Sequence, residues 1–497
     1  MLFNSYEFVF LFLPIVLAVF FQLGRRRSST LPTLWLVAAS LAFYAYWRSA
    51  YVGLLLASIT GNYLAGLAIA RYRKRRGRGL LAGSITANLV LLAYFKYAGF
   101  LIGTFNDLLG EQLAIPEIVL PLAISFFTFN QIAFLVDVYK GYVHDYGFFD
   151  YALFILFFPH LIAGPIVHHR DIIPQFRRFN FSFSSPLVSI GLMVFSIGLF
   201  KKVVLADHIA PYANALFDSA ARAEALTCVE AWFGALAYAL QLYFDFSGYS
   251  DMAVGGALLF GVRFPWNFDA PYQATSIIDF WRRWHISLSQ FLREYLYIPL
   301  GGNRAGRLRR SANILLTMLL GGLWHGANWT FVLWGGLHGG YVVVNHLWRD
   351  WRARQRWLPR QPTRGERTAG WCLTFVAVLI AWVLFRAQDL STTLAIYRSM
   401  LGFGPDSGWT LDARLLLPHL PATLQDSMAF AWIAALCAIC WLPSLPRQTQ
   451  ALLADDAGTP PRWRLRLGRP WAVGTGILAW LAVMFLARPT EFLYYQF

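Results

Sequence analysis

Charged residues are scarce in this 497-residue chain: 14% of it is Asp, Glu, Lys or Arg, whereas 57% is hydrophobic and 17% aromatic. A soluble domain of this composition has too few polar side chains to cover its surface. Apolar stretches of the roughly 17 to 25 residues that cross a bilayer as helix recur along nearly the whole chain. The scarcity of charge therefore excludes a soluble protein and predicts a polytopic membrane protein.

Cysteine is also scarce, since only Cys228, Cys372, Cys437 and Cys440 occur. Four thiols in apolar surroundings exclude a disulfide framework. Cys437 and Cys440 form a C-x-x-C within an apolar run, which we interpret as a buried pair of small residues rather than a redox or metal site. The sequence also lacks a G-x-S-x-G nucleophile elbow, an H-E-x-x-H zinc motif and a G-x-x-x-x-G-K-[ST] phosphate loop. We therefore expect no bound metal.

Acidic residues are few as well: 26 Asp and Glu stand against 42 Lys and Arg, which gives a formal charge of +16. In a soluble protein this charge would suggest nucleic-acid binding. Its location argues against that, because the basic residues fall in short segments between apolar runs, at 25–27, 71–78, 304–310, 349–367 and 462–469. The positive-inside rule predicts such segments for cytoplasmic loops, which places the N-terminus on the outer side. The first positive charges follow the first apolar segment, so residues 6–23 are expected to stay in the membrane rather than be cleaved.

The hydrophobic pattern predicts an all-α protein with about 11 to 13 membrane segments, re-entrant ones included. The clearest spans lie at 6–23, 31–47, 50–70, 79–103, 118–136, 370–386, 427–443 and 471–487. Residues 149–167 and 187–206 are apolar but interrupted by proline, glycine or lysine, which is typical of re-entrant or interfacial segments. No internal repeat, soluble insert or long linker divides the chain, so we expect one domain over residues 1–497.

The most informative stretch, residues 311–348, contains no Asp, Glu, Lys or Arg, yet includes His325, His338 and His346. Basic segments flank it on both sides, so the chain is expected to enter the membrane and return. A helix from the start of this stretch brings His325 roughly 20 Å inward, next to a turn at 326–328. An ionisable residue at this depth indicates function, although a neutral, hydrogen-bonded core histidine is an alternative interpretation. His338 and His346 fit that alternative better.

A further histidine lies in the amphipathic segment that precedes this stretch. Ser276 followed by Asp279 is typical of a helix start, and the predicted helix runs from there to about Tyr297. His285 then shares one apolar face with residues three, four and seven positions away, namely Leu288, Trp281 and Leu292. This face is expected to turn inward and to bring His285 with it.

Other charged residues near this segment have two interpretations each. Arg282 and Arg283 lie off the His285 face and are expected to meet lipid headgroups or the phosphates of a cytoplasmic cofactor. Asp245 and Asp251 lie in an apolar run and must find partners there. Pairing with an Arg or a hydroxyl, which holds the core together, is favoured over catalysis.

Five segments, taken with these residues, resemble the alginate O-acetylase branch of the membrane-bound O-acyltransferase family. They are, in chain order, FFPHLIAGP at 157–165, LYFDFSGYSDMA at 242–253, FWRRWHISLSQFLREYLYIPLGGNR at 280–304, GGLWHGANWTF at 321–331 and FLYYQF at 492–497. One such segment alone is weak evidence for a resemblance, but five in the same order over nearly the whole chain are specific evidence.

The resemblance implies the membrane-bound O-acyltransferase fold, with a central funnel or tunnel, and transfer of an acetyl group from cytoplasmic acetyl-CoA to a hydroxyl outside the cytoplasm. Acetyl-CoA is then a substrate, not a permanently bound cofactor. His325 occupies the position of the essential histidine, and His285 that of a second polar active-site residue. Because the implied donor carries phosphates, we take Arg282 and Arg283 as the expected donor-binding residues. The resemblance also implies the bacterial inner membrane, an extracytoplasmic acetyltransferase partner, and an exopolysaccharide such as alginate or cellulose as final acceptor.

The residue types suit this chemistry. A neutral imidazole accepts a proton from an attacking hydroxyl, which makes His325 the expected general base. The developing oxyanion needs donors fixed in a dry site, for which Asn328, the indole N–H of Trp324, or His285 are candidates.

Two alternatives stay open. A D-alanyl transferase that modifies teichoic acids is similar in architecture and shares the histidine, but the residues at 321–331 favour the acetylase branch. A proton-coupled transporter or flippase also uses intramembrane histidines and carboxylates. Such proteins typically have repeated halves, which this sequence lacks.

Overall fold

The part of the chain that the structure describes is almost entirely helical. The computed structural model describes residues 1–25, 30–143, 146–177, 185–304, 306–355, 359, 361–404, 422–453, 468–486 and 492–493. Within these ranges there is no β-strand. The all-α prediction is therefore confirmed.

Most helices of the N-terminal half follow the predicted apolar runs; those at His169–Arg177 and Asp207–Ala221 lie outside them. The helices of this half are α1 (Leu13–Gly24), α2 (Thr30–Ala45), α3 (Val52–Tyr72), α4 (Gly77–Leu92), α5 (Ala98–Leu109), α6 (Ile124–Lys140), α7 (Phe148–Leu156), α8 (Phe158–Leu161), α9 (His169–Arg177), α10 (Ser185–Phe200) and α11 (Asp207–Ala221). Three π-helical turns extend or connect them, at Glu7–Phe12, Ala93–Tyr97 and Lys201–Ala206.

The helices of the C-terminal half include the segments with the predicted site residues. They are α12 (Cys228–Leu259), α13 (Ile277–Trp281), α14 (Ile286–Leu292), α15 (Gly306–His325), α16 (Trp329–Arg352), α17 (Arg364–Arg386), α18 (Leu390–Met400), α19 (Ala422–Cys440), α20 (Leu445–Leu453) and α21 (Arg469–Phe485). A π-helical turn, Arg293–Tyr297, follows α14.

Several helices are long and apolar enough to cross a membrane. Five in the described part of the chain meet this criterion: Glu7–Gly24, Ser49–Tyr72, Gly77–Leu109, Pro186–Ala221 and Arg364–Arg386. Shorter apolar helices occur at Thr30–Ala45, Met428–Cys440 and Arg469–Phe485. The protein is a multi-pass membrane protein, as expected. Its orientation and the number of 11 to 13 membrane segments stay predictions.

Two predicted segments have different boundaries in the structure. The span expected at 118–136 begins only at Ile124 and continues to Lys140, because Ala123 before it has a left-handed backbone (φ 61°, ψ 14°) that cannot continue a right-handed helix. The interrupted segment at 149–167 contains α7 and α8, separated at Phe157, whose backbone (φ −50°, ψ 108°) is not helical. The predicted interruption is thus present.

The chain folds into two compact units. The first consists of Met1–Leu199, Tyr249–Pro265 and Ala472–Pro489, and the second of Phe200–Gly248, Trp266–Trp471 and Thr490–Phe497. All six predicted site residues belong to the second unit. The assignment of residues 1–497 to one family domain stays a prediction. The arginine-rich segments at 25–27 and 462–469 and the closing motif at 492–497 lie largely outside the described residues.

The first unit has a buried polar cluster that joins three of its helices. Asn62 of α3 and Asn88 of α4 exchange side-chain hydrogen bonds of 3.1 and 2.7 Å. Asn62 and Ser58 also donate to Oε1 of Gln131 on α6, at 3.0 and 2.8 Å. These bonds pair the side chains of Asn62 and Asn88 and the amide oxygen of Gln131, groups that are costly to bury unpaired.

The prediction of one continuous helix from Ser276 to Tyr297 is wrong. The helix begins as expected, with Ser276 Oγ accepting from the backbone N–H of Asp279 at 3.2 Å. It ends already at Trp281, and α14 begins only after His285. His285 has a left-handed backbone, with φ 43° and ψ 54°, which cannot continue a right-handed helix. The spacing argument for a shared helix face therefore fails at this residue.

Candidate active site

His325 lies at the end of α15, at the tip of a helical hairpin. Three residues connect α15 to α16, which confirms the predicted turn. The two helices run antiparallel: a Cβ on Gly336 would contact Leu319, and one on Gly339 would contact Leu315. Glycines at these positions allow close backbone approach, as is common between membrane helices. The charge-free stretch thus forms a helical hairpin. Its entry into the membrane and return stay a prediction.

Asn328 fixes the start of the returning helix. Its Oδ1 accepts from the backbone N–H of Thr330 at 3.0 Å, an N-cap interaction. Its Nδ2 donates to the carbonyl oxygen of Gln388 at 2.8 Å. Asn328 therefore ties the hairpin turn to the residues that follow α17. Its contribution to oxyanion binding stays a prediction.

The imidazole of His325 is enclosed by aromatic rings. Trp334 lies edge-on, with ring centroids 5.1 Å apart and an interplanar angle of 88°. Phe385 of α17 lies at 5.2 Å and 75°, and Trp324 at 4.9 Å. His325 keeps 7% of its surface exposed. Rings on three helices thus hold the orientation of this imidazole.

His285 is buried more deeply, with 1% of its surface exposed. Phe246 of α12 contacts it edge-on, with centroids 4.8 Å apart at 89°. Within the described part of the chain neither ring nitrogen of His285 has a hydrogen-bond partner. A buried, uncommitted imidazole is costly, and such a group is available to a ligand. The predicted inward position of His285 is correct, although the helix-face argument for it was not.

Trp324 brings the two histidines into one cluster. Its ring centroid lies 4.9 Å from that of His325 and 6.4 Å from that of His285. The structure therefore places three of the predicted site residues together, although His285 and His325 are forty positions apart in the sequence.

A second histidine of the hairpin has a different environment. His338 is fully buried, and its Nδ1 accepts a hydrogen bond of 3.3 Å from the indole N–H of Trp281. Its ring also contacts Trp334 at 4.9 Å. This is a hydrogen-bonded core position, in agreement with the interpretation of His338 from the sequence. The bond places the imidazole proton on Nε2.

The two predicted donor-binding arginines differ in their surroundings. Arg282 is exposed, whereas Arg283 is half-buried and its Nε donates to Asp279 at 3.0 Å. The carbonyl oxygen of Arg283 accepts a hydrogen bond of 3.0 Å from the backbone N–H of Asp269, a residue that lies outside the predicted membrane spans. Burial raises the pKa of the Asp269 carboxyl, but hydrogen bonds and charge from partners that include Arg447 outweigh it and keep that pKa below its usual value. Arg282 is thus the arginine more accessible to a ligand.

Asp245 takes part in a buried ion cluster. Lys202 Nζ lies 2.6 Å from Asp245 Oδ1 and 2.8 Å from Asp207 Oδ1. The backbone N–H of Leu493 donates to the other oxygen of Asp245 at 3.1 Å. Asp245 therefore has the expected structural partner, but that partner is a lysine rather than an arginine or a hydroxyl. Asp251, the other carboxylate of the same apolar run, is buried in the first unit.

Sequence reasoning missed Asn267, Trp334 and Phe385. Trp334 and Phe385 line His325, and Asn267 contacts the turn that bears His285. Of these three residues only Asn267 could have been selected from the sequence, because its polar amide stands between the large aromatic residues Trp266 and Phe268. Apolar rings in apolar helices cannot be distinguished from lipid-facing rings by pattern alone.

The thiols and acids offer no metal site within the described residues, because no group of three His, Cys, Asp or Glu converges there. All four cysteines are free: Cys440 is buried, Cys437 and Cys228 are half-buried, and Cys372 is exposed. The C-x-x-C is thus only partly buried.

The fold and the site define a class of protein: a multi-pass, all-helical membrane protein with a buried imidazole at the tip of a helical hairpin and a second one in a nearby turn. The sequence profile of the membrane-bound O-acyltransferase family matches residues 17–387, which include every predicted site residue. The chain belongs to this family. The prediction that it is an O-acyltransferase is thereby confirmed.

Curated relatives resemble the chain over most of its length. It is 43% identical over 430 residues to a peptidoglycan O-acetyltransferase of Helicobacter pylori, a match that covers 81% of this chain and 80% of the relative. It is 42% identical over 418 residues to a probable alginate O-acetylase of Azotobacter vinelandii, with 83% and 79% covered. A teichoic acid D-alanyltransferase of Bacillus subtilis is 28% identical over 278 residues, with 54% and 69% covered.

Proposed function

We propose that this protein transfers an acetyl group from cytoplasmic acetyl-CoA across the bacterial inner membrane for O-acetylation of an exopolysaccharide such as alginate or cellulose. The structural observation that supports this is the cluster of His325, Trp324 and His285 inside one compact unit. The names of the O-acetylating relatives support the acetyl group and a polysaccharide acceptor.

In the proposed reaction His325 acts as the general base. Its imidazole takes the proton of the acceptor hydroxyl while the oxygen attacks the thioester carbonyl and a C–O bond forms. The tetrahedral oxyanion then collapses, the C–S bond breaks, and His325 returns the proton to the departing thiolate of CoA. The aromatic rings around His325 exclude water and fix the imidazole orientation, so the reacting atoms meet in a dry site.

The other site residues stabilise charge and hold the donor. The indole N–H of Trp324, the imidazole of His285 or the Asn328 amide donates to the developing oxyanion. Arg282, which is exposed, binds the CoA phosphates, and Arg283 assists while it pairs with Asp279. In this scheme the acceptor hydroxyl belongs to an acetyltransferase partner outside the cytoplasm. A polysaccharide hydroxyl then attacks the partner's acetyl ester, the C–O bond to the partner breaks, and the proton of the polysaccharide hydroxyl returns to the partner's oxygen.

The comparisons bear on both alternatives. A D-alanyl transferase is less favoured because the relative of that kind matches a shorter part of the chain at lower identity. A transporter or flippase is set aside because the chain belongs to a family of acyltransferases.

The proposal is tested with purified protein in lipid nanodiscs and acetyl-CoA labelled on the acetyl group. Release of CoA with transfer or hydrolysis of the label is expected for the parent protein. Replacing His325 with Ala removes the general base and should lower the rate by about 10²- to 10⁴-fold. His346→Ala on α16 is the matched control and should leave the rate unchanged. Equal rates for His325→Ala and the parent would refute His325 as base.

A cellular measurement tests the acceptor. Cells that carry His325→Ala in place of the parent gene should secrete polysaccharide with its acetyl content lost, while the His346→Ala cells retain it. Unchanged acetyl content in the His325→Ala cells would contradict the proposed acceptor class.

A further inference from the structure

The turn that bears His285 is held by a neighbouring extended segment. The backbone N–H of Asp269 donates to the carbonyl oxygen of Arg283, and the N–H of Ile286 donates to the carbonyl oxygen of Asn267, both at 3.0 Å. His285 lies between these two bonds. The segment around Asn267 therefore fixes the chain on either side of the histidine.

The side chain of Asn267 adds two further bonds to the same turn. Its Oδ1 accepts from the backbone N–H of Ser287 at 3.2 Å and from the Ser287 hydroxyl at 2.6 Å. A backbone N–H only donates, so its partner must be the amide oxygen, which fixes the orientation of the Asn267 amide. Both side chains are buried, with 1% of Asn267 and 2% of Ser287 exposed.

These bonds replace the usual cap of α14. The residue before a helix commonly accepts a hydrogen bond from the first turn with its own side chain. His285 holds that position but makes no such bond. Asn267, 20 residues before Ser287 in the sequence, supplies the acceptor instead. The His285 imidazole thus stays uncommitted, and neither ring nitrogen has a hydrogen-bond partner among the described residues.

The backbone of His285 also needs external support. A residue with a Cβ rarely adopts φ 43° and ψ 54°, and such a conformation persists where surrounding contacts determine it. The bonds from Ile286 and Ser287 to Asn267 are those contacts. Without them the turn can relax, and the imidazole can rotate to cap its own helix.

We propose that Asn267 is a positioning residue for acyl transfer: it caps α14 in place of His285 and so keeps the His285 imidazole free for the reaction. The inference rests on the proposed function, because it assumes that His285 takes part in acetyl transfer. In this proposal Asn267 does not contact the substrate.

The first variant removes the acceptor. Asn267→Ala should lower kcat for acetyl transfer by about 10²-fold, the loss typical of a misplaced catalytic group, with KM for acetyl-CoA little changed. Ser287→Ala loses the hydroxyl but keeps its backbone N–H bond, so its loss should be smaller. The matched control is Asn313→Ala, which removes another buried amide, one that donates to the carbonyl oxygen of Gly302 at 3.0 Å. It should leave kcat close to the parent value.

Combining substitutions separates positioning from a general structural role. If Asn267 acts through His285, adding Asn267→Ala to His285→Ala should change kcat by less than about twofold, because residues that act as a unit are not additive. A full further loss in that background, or a kcat for Asn267→Ala equal to that of the control, would overturn the proposal. Thermal unfolding of each variant identifies any that fail to fold; for those, the Ser287→Ala pair with His285→Ala gives the same comparison.

Different results would contradict the proposed function and the positioning role of Asn267. A parent protein that does not transfer acetyl groups contradicts the proposed function. A His285→Ala variant with full activity, beside an inactive Asn267→Ala variant, contradicts only the positioning role, because the effect of Asn267 then does not pass through His285.

Discussion

Gly322 of α15 and Gly335 of α16 pack backbone against backbone. A Cβ on Gly322 would lie 3.1 Å from the Cα of Gly335, and a Cβ on Gly335 would lie 3.2 Å from the Cα of Gly322. Each Cβ would also overlap a carbonyl oxygen of the opposite helix, that of Phe331 or Met318. The hairpin that positions His325 therefore depends on glycine at its closest approach.

Gly335→Ala should separate the two helices and destabilise the protein by about 1–3 kcal/mol, the usual cost of overpacking. Because the hairpin carries His325, we also expect kcat for acetyl transfer to fall. The matched control is Gly340→Ala on the same helix, where a Cβ meets no atom within 4 Å. Thermal unfolding in detergent and a turnover assay measure both effects. Equal behaviour of the two variants would show that the close approach is unimportant.

Trp324→Phe keeps an aromatic ring between the two histidines but removes the indole N–H. If that N–H binds the oxyanion, kcat should fall by about 10²-fold, as for other lost oxyanion donors. Trp382→Phe removes another buried indole N–H, from a ring that packs on Trp334 at 5.9 Å, and should leave kcat nearly unchanged. Steady-state kinetics with acetyl-CoA measure the difference. If Trp324→Phe keeps the parent kcat, the oxyanion is stabilised by donors other than the Trp324 indole N–H.

Arg282→Ala should weaken binding of acetyl-CoA rather than the chemical step. Loss of one charge-assisted hydrogen bond to a phosphate raises KM by about tenfold, with kcat preserved. Arg222→Ala, which removes an exposed arginine paired with Glu224, is the control and should not change KM. The KM of each variant for acetyl-CoA decides the outcome. If instead the Arg282 side chain only meets lipid headgroups, its KM will equal that of the control.

Removing Lys202 should cost more stability than removing either of its partners. Lys202→Met leaves the buried Asp245 and the half-buried Asp207 without their shared cation, which should destabilise the protein by about 3–5 kcal/mol. Asp245→Asn leaves Lys202 paired with Asp207 at 2.8 Å, so the loss should be smaller. Unfolding midpoints in detergent rank the two variants. The reverse order would mean that Asp245 is stabilised mainly by the N–H of Leu493 rather than by Lys202.

Local patterns in the sequence were sufficient for the secondary structure around His325. Residues 311–348 contain no proline that would interrupt a helix, and Gly326 and Asn328 supply a turn and a cap. The hairpin tip was therefore predictable to the residue. The same reasoning failed between Ser276 and Tyr297, because helical periodicity contains no information on the bonds from Asn267 that stabilise the break at His285.

The sequence by itself determined that this is a membrane protein, that it is helical, and that a histidine lies within a charge-free stretch. These properties follow from composition and from contacts between residues close in the chain. The tertiary structure alone decided that Trp324, the chain neighbour of His325, also contacts His285, that Trp281 bonds to His338, and that Lys202 neutralises Asp245. Each of these depends on how distant helices pack, because the energy of a contact depends on three-dimensional proximity and not on sequence separation.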